Sequence, residues 1–254
     1  MQKKKRILLK IGSNTLTKET DNISRGKIED LANQIAKLQD TCEFIIVSSG
    51  AIAVAKQFVK LEGKHEEVFV KQALASIGQP HLIRIYQEIF REYGLLSSQC
   101  LLSYSDFEKQ DSKVNIVNTI NVLIHNNYIP IINENDTVAT DEIKFGDNDK
   151  LAALTATLLN VDLLIIATNT NGIYTKESFK NNAPETILEV DNFEELLKEV
   201  VSTKSTHGSG GMGSKIEAAA LAKNANIETW IVNGLEDNFM TNAFENKIPF
   251  TKIK

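Results

Sequence analysis

The sequence predicts an α/β fold built on a mostly parallel sheet, and three observations carry that prediction. Short apolar runs alternate with longer stretches in which apolar residues recur at three- and four-residue spacing, the pattern of βαβ units. Several of the short runs end in small, polar residues, as strands of a parallel sheet do where they turn into their helices. At 254 residues, of which 42% are hydrophobic and 24% charged, the chain can bury roughly 70 to 75% of its unfolded surface without a disulfide or metal staple. No repeat, low-complexity stretch or clear linker divides it, so one continuous domain with two lobes is expected.

Taken in order, Ile7 to Ile11 reads as the first strand. Ser24 is placed to cap a helix carrying Ile28, Leu31, Ile35 and Leu38, and Phe44 to Val47 follows as the second strand. A helical stretch from about Glu66 to Tyr93 carries Gly78 and Pro80, where an interruption is expected. A strand around Gln99 to Leu102, a helix from Ser112 to Asn126 and a strand at Ile129 to Ile132 come next. They are followed by a helix from Asn148 to Leu159 and a strand at Leu163 to Ala167. The final third is more polar. Residues 168–186 are turn-rich, Phe193 to Val201 is a short amphipathic helix, and 202–211 is a Ser/Thr/Gly loop. A helix from Gly213 to Asn224, a strand from Glu228 to Val232 and a short tail complete the chain.

Composition excludes several classes of function. Lys plus Arg total 28 against 33 Asp plus Glu, a net charge of −5, which disfavours a protein that neutralises nucleic-acid phosphates. The two cysteines, Cys42 and Cys100, are too few for a disulfide framework and lack zinc-ligand spacing; their apolar neighbours point to buried thiols in a reducing cytoplasm. No apolar run approaches the roughly 18 residues of a membrane span. The Lys3 to Arg6 run leads straight into a strand with no cleavage site, which argues against a signal peptide.

Chemistry-bearing residues collect at strand ends: Lys10-Ile-Gly12-Ser13, Ser48-Ser49-Gly50, Asn133-Glu134-Asn135-Asp136 and Thr168-Asn169. In open parallel sheets ligands bind beyond the carboxyl ends of the strands. A turn explains any one of these segments as well as a site does, but Lys10 at such an end offers an ammonium beside the Gly12 and Ser13 amides, a combination suited to phosphate. Gly208-Ser209-Gly210-Gly211-Met212-Gly213-Ser214-Lys215 opens a helix with amides, a hydroxyl and a lysine at its positive end. It has G-x-G-x-x-G spacing but no buried strand before it and no acid at the end of the next strand, which argues against a dinucleotide fold. The intervening Ser214 excludes a P-loop. Gly146-Asp147-Asn148-Asp149 opens another helix; a cap explains one of its polar residues, while Asp149 could orient the two lysines or a metal-bound water, and Asn148 could hold substrate. Glu134, Asp136, Asp141 and Glu142 lack helical metal-ligand spacing, so no protein-held metal is expected. His65, His81, His125 and His207 read as surface or helix-end residues, none beside a nucleophile.

Together, Lys10-Ile-Gly-Ser13, Val47-Ser-Ser-Gly-Ala-Ile52, Lys71-Gln72 with Ile77-Gly-Gln79, Ile132-Asn-Glu-Asn-Asp-Thr-Val-Ala-Thr140, Gly146-Asp-Asn-Asp149, Gly172-Ile-Tyr174 and the glycine-rich segment resemble, in order, the motifs of the glutamate 5-kinases of the amino acid kinase family. The resemblance spans nearly the whole chain, and its Asn-Glu-Asn-Asp and Gly-Asp-Asn-Asp segments set it apart from acetylglutamate, carbamate and uridylate kinases. It implies a three-layer sandwich and transfer of the ATP γ-phosphoryl to the γ-carboxylate of L-glutamate, the first step toward proline. By position it implies Lys10 and Lys215 as the pair that stabilises the moving phosphoryl, with Asp149 organising them. Ser49, Asp136 and Asn148 are implied as glutamate contacts. Lys10, Gly12, Ser13, Thr168, Asn169 and Ser209, Gly210, Gly211, Met212, Gly213, Ser214 and Lys215 are implied on the ATP side.

Many relatives have Asp at Asn169 and Thr at Ser214; both replacements keep a hydrogen-bonding group. The resemblance further implies an amino-acid lobe over about 1–167, a nucleotide lobe over about 168–254, Mg²⁺ carried by ATP, a cytoplasmic homo-oligomer (dimer or tetramer), proline inhibition and hand-off of product to glutamyl phosphate reductase. Many relatives carry a C-terminal PUA domain, and a chain stopping at Lys254 is expected to lack one. A γ-carboxylate is already ionised at neutral pH, so no histidine base is called for. An amino-acid sensor on the same fold would be the non-catalytic alternative, but it would have no need of both lysines.

Overall fold

The computed structural model describes residues 3–18, 22–62, 67–139, 148–175, 177–178, 181, 183–190, 192–199 and 211–254. Within them β1 (Lys5–Ile11), β2 (Cys42–Ser48), β3 (Leu96–Leu102), β4 (Tyr128–Glu134), β5 (Leu163–Thr168), β6 (Glu189–Val190), β7 (Glu228–Asn233) and β8 (Thr251–Ile253) form one eight-stranded sheet. The strand order is β3-β4-β2-β1-β5-β7-β8-β6. Every neighbouring pair is parallel except β7 with β8. The helices are α1 (Ser13–Thr17), α2 (Arg25–Leu38), α3 (Ala51–Lys56), α4 (Val68–Glu92), α5 (Gln110–His125), α6 (Asp149–Leu159), α7 (Phe193–Glu199), α8 (Met212–Asn224) and α9 (Phe239–Phe244).

The period of two along each central strand divides the core into two layers. Ile7, Leu9 and Ile11 of β1 and Phe44 and Ile46 of β2 pack with Leu31, Ile35 and Tyr86 from α2 and α4. Leu8, Ile45 and Val47 point the other way, onto Leu151, Ala152, Ala218 and Ala219 of α6 and α8. Helices therefore cover both faces of the sheet, giving the three-layer sandwich, and the central strands read as unbroken apolar runs because neither face meets water. Lys10 shares the parity of Leu8, which directs it toward the α6 and α8 side.

The Ser24 cap is present, its Oγ accepting from the Lys27 backbone N–H at 3.3 Å. Other expectations are corrected. α4 runs unbroken through Pro80. A proline inside a helix costs about 3 kcal/mol, but Leu74, Ala75, Leu82, Tyr86, Ile89 and Phe90 are buried on either side of it and hold the helix together across the missing hydrogen bond. Gly78 is set by a close approach: a Cβ there would lie 1.8 Å from the Ala51 carbonyl oxygen, so α3 packs directly on the α4 backbone. The short helices α1 and α3 and the two-residue β6 were not visible as patterns.

The stretch after β7 is also more than a tail. It forms α9 and then β8, and α2 anchors it: the buried Lys27 Nζ donates to Asp30 Oδ2 at 3.0 Å and to the Glu236 carbonyl at 2.7 Å, while Gln34 Oε1 accepts from the Met240 N–H at 2.7 Å. Cys42 is a buried free thiol, whereas Cys100 is only partly buried because β3 is the sheet edge. Among the described residues no helix is long and apolar enough to cross a membrane.

Candidate active site

The four strands β4-β2-β1-β5 are adjacent and parallel, so their carboxyl ends lie along one edge. The register sets Lys10 beside Val47 and Ile166, Ile11 beside Ser48 and Ala167, and Val47 beside Ile132. Lys10, Ser48-Ser49, Asn133 and Thr168, taken from distant parts of the sequence, thereby share one row.

On the α6 and α8 face of that row sits a three-residue charge cluster. Lys10 Nζ lies 2.6 Å from Asp149 Oδ1, and Lys215 Nζ lies 3.0 Å from Asp149 Oδ2. The Asp149 side chain is fully buried and the two lysine side chains are 4% and 9% exposed. Ser214 Oγ donates to Asp149 Oδ2 at 2.9 Å and lies 2.9 Å from the Gly211 carbonyl. Burial alone would push the Asp149 carboxyl upward, but the charges and hydrogen bonds of Lys10 and Lys215 outweigh it and hold the group well below the usual carboxylate range. One buried anion thus gathers two buried cations and leaves a net positive centre.

The residue before Asp149 belongs to a different network. Asn148 precedes α6 as its N-cap, yet its side chain makes no capping bond. Its Nδ2 donates instead to Asn133 Oδ1 at 2.8 Å and Ser49 Oγ at 3.0 Å. Asn133 Oδ1 also accepts from the Glu134 backbone N–H at 2.9 Å, and Asn133 Nδ2 donates to Gln79 Oε1 of α4 at 2.8 Å. α4 further holds the loop after β4: Gln72 Nε2 donates to the Asp136 carbonyl at 2.9 Å, and the Ser76 and Thr137 hydroxyls lie 3.0 Å apart. Asp136 is itself largely buried, and burial pushes its carboxyl up to about 6.

On the opposite side of Lys10, Gly12 and Ser13 lead into α1, and a Cβ at Gly12 would come within 3.3 Å of Lys10 Nζ. Thr168 ends β5 and is buried, its carbonyl accepting from the Gly234 N–H at 2.7 Å, while Asn169 is exposed beside it. Gly234 lets β7 leave the sheet between α1 and β5, since a Cβ there would lie 2.7 Å from Thr15 Cγ2 and 2.8 Å from Ala167 Cβ. Gly211, Met212, Gly213, Ser214 and Lys215 form the N-terminal end of α8.

Lys10, Asp149, Lys215, Ser49 and Asn148 are thus brought together, with Asp136 on the loop that α4 holds. Ser209 and Gly210, together with Gly146, Asp147, Asp141, Glu142, His65 and His207, lie outside the described residues. Of the remaining histidines, His81 packs its ring 4.5 Å from that of Phe58 and His125 ends α5. Asn133 and Gln79 stand inside motifs the sequence displays, but the sequence assigned neither a role in the site. For Gln79 a further signal was available in the spacing of polar Gln72, Ser76 and Gln79 at i, i+4 and i+7, one stripe along a helix.

Residues 5–233 match the amino acid kinase family. The chain is 38% identical over 253 residues to the glutamate 5-kinase of Alkaliphilus oremlandii, covering 99% of this chain and 96% of that one. It is 41% identical over 237 residues to the glutamate 5-kinase of a Thermoanaerobacter species, spanning 92% of this chain but 64% of that relative. Among solved structures, the UMP kinase of Ureaplasma parvum superposes with a TM-score of 0.67 at 19% identity, over 100% of both chains. Carbamate kinase of Giardia lamblia superposes with a TM-score of 0.69 at 16% identity, over 100% of this chain and 99% of that one. At such identities the two structures attest the sandwich fold.

Proposed function

The chain belongs to the amino acid kinase family and within it to the glutamate 5-kinases, and from that premise we propose how its site performs ATP-dependent phosphorylation of the γ-carboxylate of L-glutamate, the first step of proline biosynthesis. The observation that carries the reading is the Lys10-Asp149-Lys215 cluster. A carboxylate attacking a triphosphate faces repulsion between anions, and buried ammonium groups held at fixed positions offset it as charge redistributes in the transition state. The glutamate γ-carboxylate oxygen forms the new bond to the γ-phosphorus, the bond from that phosphorus to the bridging oxygen breaks, and ADP leaves with the electron pair. No proton has to be removed from the nucleophile. Asp149 holds both lysines in place; it is too strongly stabilised as an anion to serve as a base.

In this reading Ser49, Asn148 and Asp136 bind glutamate, with Asp136 facing the α-ammonium. Lys10, Gly12, Ser13, Thr168, Asn169 and Ser209 to Lys215 bind ATP, so that about 1–167 is mainly the amino-acid lobe, lending Lys10, Gly12 and Ser13 to the nucleotide, and about 168–254 is mainly the nucleotide lobe. Among the described residues no group of three or more His, Cys, Asp or Glu side chains is placed to hold a metal, and both Asp149 oxygens face ammonium groups. In the same reading Mg²⁺ is carried by ATP, held by phosphate oxygens and water. The same proposal places the chain in the cytoplasm as a homo-oligomer sensitive to proline, passing its labile acyl phosphate to glutamyl phosphate reductase.

The test is trapping with hydroxylamine. With L-glutamate, ATP and Mg²⁺ the protein should form γ-glutamyl hydroxamate in step with ADP. ADP release that depends on glutamate but yields no hydroxamate would show a different acceptor atom.

A further inference from the structure

We propose that Gln79 is a positioning residue for the amino-acid substrate: it fixes the Asn133 side-chain amide, and through it fixes which atom Asn148 presents to glutamate. The inference rests on the glutamate reading above and goes beyond it by assigning a residue on a different helix, one that does not itself touch substrate.

The polarity of the network follows from a single backbone group. The Glu134 N–H is fixed by the strand and can only donate, so the Asn133 atom that meets it at 2.9 Å must be the carbonyl oxygen Oδ1. The Asn133 NH₂ then points toward α4, where Gln79 Oε1 accepts from it at 2.8 Å. The Asn133 oxygen requires a donor from its remaining neighbour, so Asn148 turns its own NH₂ inward, to Asn133 at 2.8 Å and to Ser49 Oγ at 3.0 Å. Both Asn148 amide hydrogens are thereby committed. Its Oδ1 is left as a buried acceptor with no partner among the described residues, and Asn148 as a whole is 0% exposed. A buried acceptor of this kind is matched by a substrate that brings a donor, as the α-ammonium of an amino acid does.

Gln79 is the end of this chain on α4, opposite Ser49, and the member that closes it. Asn133 is held on its oxygen by Glu134 and Asn148 and on its nitrogen by Gln79 alone among the described residues. The neighbouring Gly78 brings α4 against α3 with no room for a Cβ, so the Gln79 backbone is fixed by packing and its reach to Asn133 is set. Loss of the Gln79 oxygen leaves the Asn133 NH₂ buried and unmatched. The amide then rotates, and the orientation of Asn148 loosens with it.

The experiment is steady-state kinetics of Gln79→Met and Gln79→Glu beside wild type in the hydroxamate assay. Gln79→Met keeps the shape and removes the oxygen; it should raise the glutamate KM about tenfold or more, with the ATP KM within about twofold and kcat within about threefold. Gln79→Glu, ionised or protonated, keeps an acceptor oxygen in the same place and should hold the glutamate KM within about threefold of wild type. In an Asn133→Ala background, Gln79→Met should add less than about threefold, because its effect passes through Asn133.

A Gln79→Met enzyme with unchanged glutamate KM, or with both KM values raised alike, overturns the inference. So does a Gln79→Glu enzyme whose glutamate KM is raised about tenfold or more over wild type, a comparison that stands even if the methionine variant does not fold. Wild-type protein that makes no hydroxamate overturns the glutamate reading and this inference with it. Active wild type beside an unaffected Gln79→Met overturns the inference alone.

Discussion

Asn148 and Asp149 are consecutive, yet they serve regions built on opposite principles. Asp149 faces a cluster of formal charges, in which one fully buried carboxylate holds two nearly buried ammonium groups within 3.0 Å. Asn148 faces a chain of neutral amides and a hydroxyl, Gln79-Asn133-Asn148-Ser49, in which each bond has a direction and no member is charged. Charge acts at a distance and tolerates a phosphoryl group that moves during reaction. Directed hydrogen bonds act only at contact and suit a substrate that must be held still and told apart from its analogues. The start of α6 is where the two meet, and under the proposed reading the acid to be phosphorylated and the group that is transferred are referred to the same few atoms of backbone.

If this division is real, the largest effect belongs to the charge cluster. Lys10→Ala and Lys215→Ala should each lower kcat by at least about a hundredfold, the scale of removing one transition-state donor, while the glutamate KM moves far less. The measurement is kcat at saturating ATP and glutamate. A lysine variant with near wild-type kcat would remove that lysine from the cluster's role.

A smaller and differently shaped effect is expected at Asp136. Asp136→Asn should raise the glutamate KM about tenfold or more and leave the ATP KM within about twofold. It should also stabilise the free protein in a pH-dependent way. Burial raises the folded-state carboxyl from 3.8 to about 6, so between those values the folded protein binds more protons than the unfolded chain and loses stability as pH rises. Asn carries no such penalty. The Tm gain of Asp136→Asn over wild type should therefore be small near pH 4 and reach its full size above pH 6, which thermal melts across that range would show. A gain that is constant with pH would mean the Asp136 charge is not what burial penalises.

The smallest effect sharpens the boundary between the regions. Ser214 Oγ bonds one Asp149 oxygen at 2.9 Å without carrying charge. Ser214→Ala should cost roughly three- to tenfold in kcat, the order of one ordinary hydrogen bond, because Lys10 and Lys215 still hold the Asp149 carboxylate, whereas Ser214→Thr should stay within about twofold. An alanine variant as slow as Lys215→Ala would show that the hydroxyl, too, acts on the transferred group.

The two regions also differed in how plainly the sequence announced them. The charge cluster was legible because a lysine at a strand end and a lysine at a glycine-rich helix start are unusual placements, and an acid at the start of another helix gave them a partner. The strands β1, β2, β4 and β5 were legible because a buried parallel strand is a nearly unbroken apolar run. Asn133 and Gln79 both lay inside recognised motifs, yet neither drew a role. The bond between them joins residues 54 positions apart and depends on α4 continuing through Pro80, where local propensity argues for a break. β6 and β8, at two and three residues, are shorter than any periodicity can reveal. Their existence depends on contacts supplied by α2 and by β7, which no local window contains.

That last arrangement sets an order of assembly. Among the described residues β6 has a single sheet neighbour, β8, which in turn lies antiparallel on β7. A nascent chain has therefore already made β6 long before it makes the strand that seats β6, and the sheet can close on that side only after Ile253 has been added. Until then Val190 and Leu196, buried in the finished protein, are left in search of cover. The half of the sheet carrying Lys10, Ser49 and Asn133 can settle early during synthesis, while the flank beyond β7 waits for the final stretch and is where a stalled or truncated product would first become sticky.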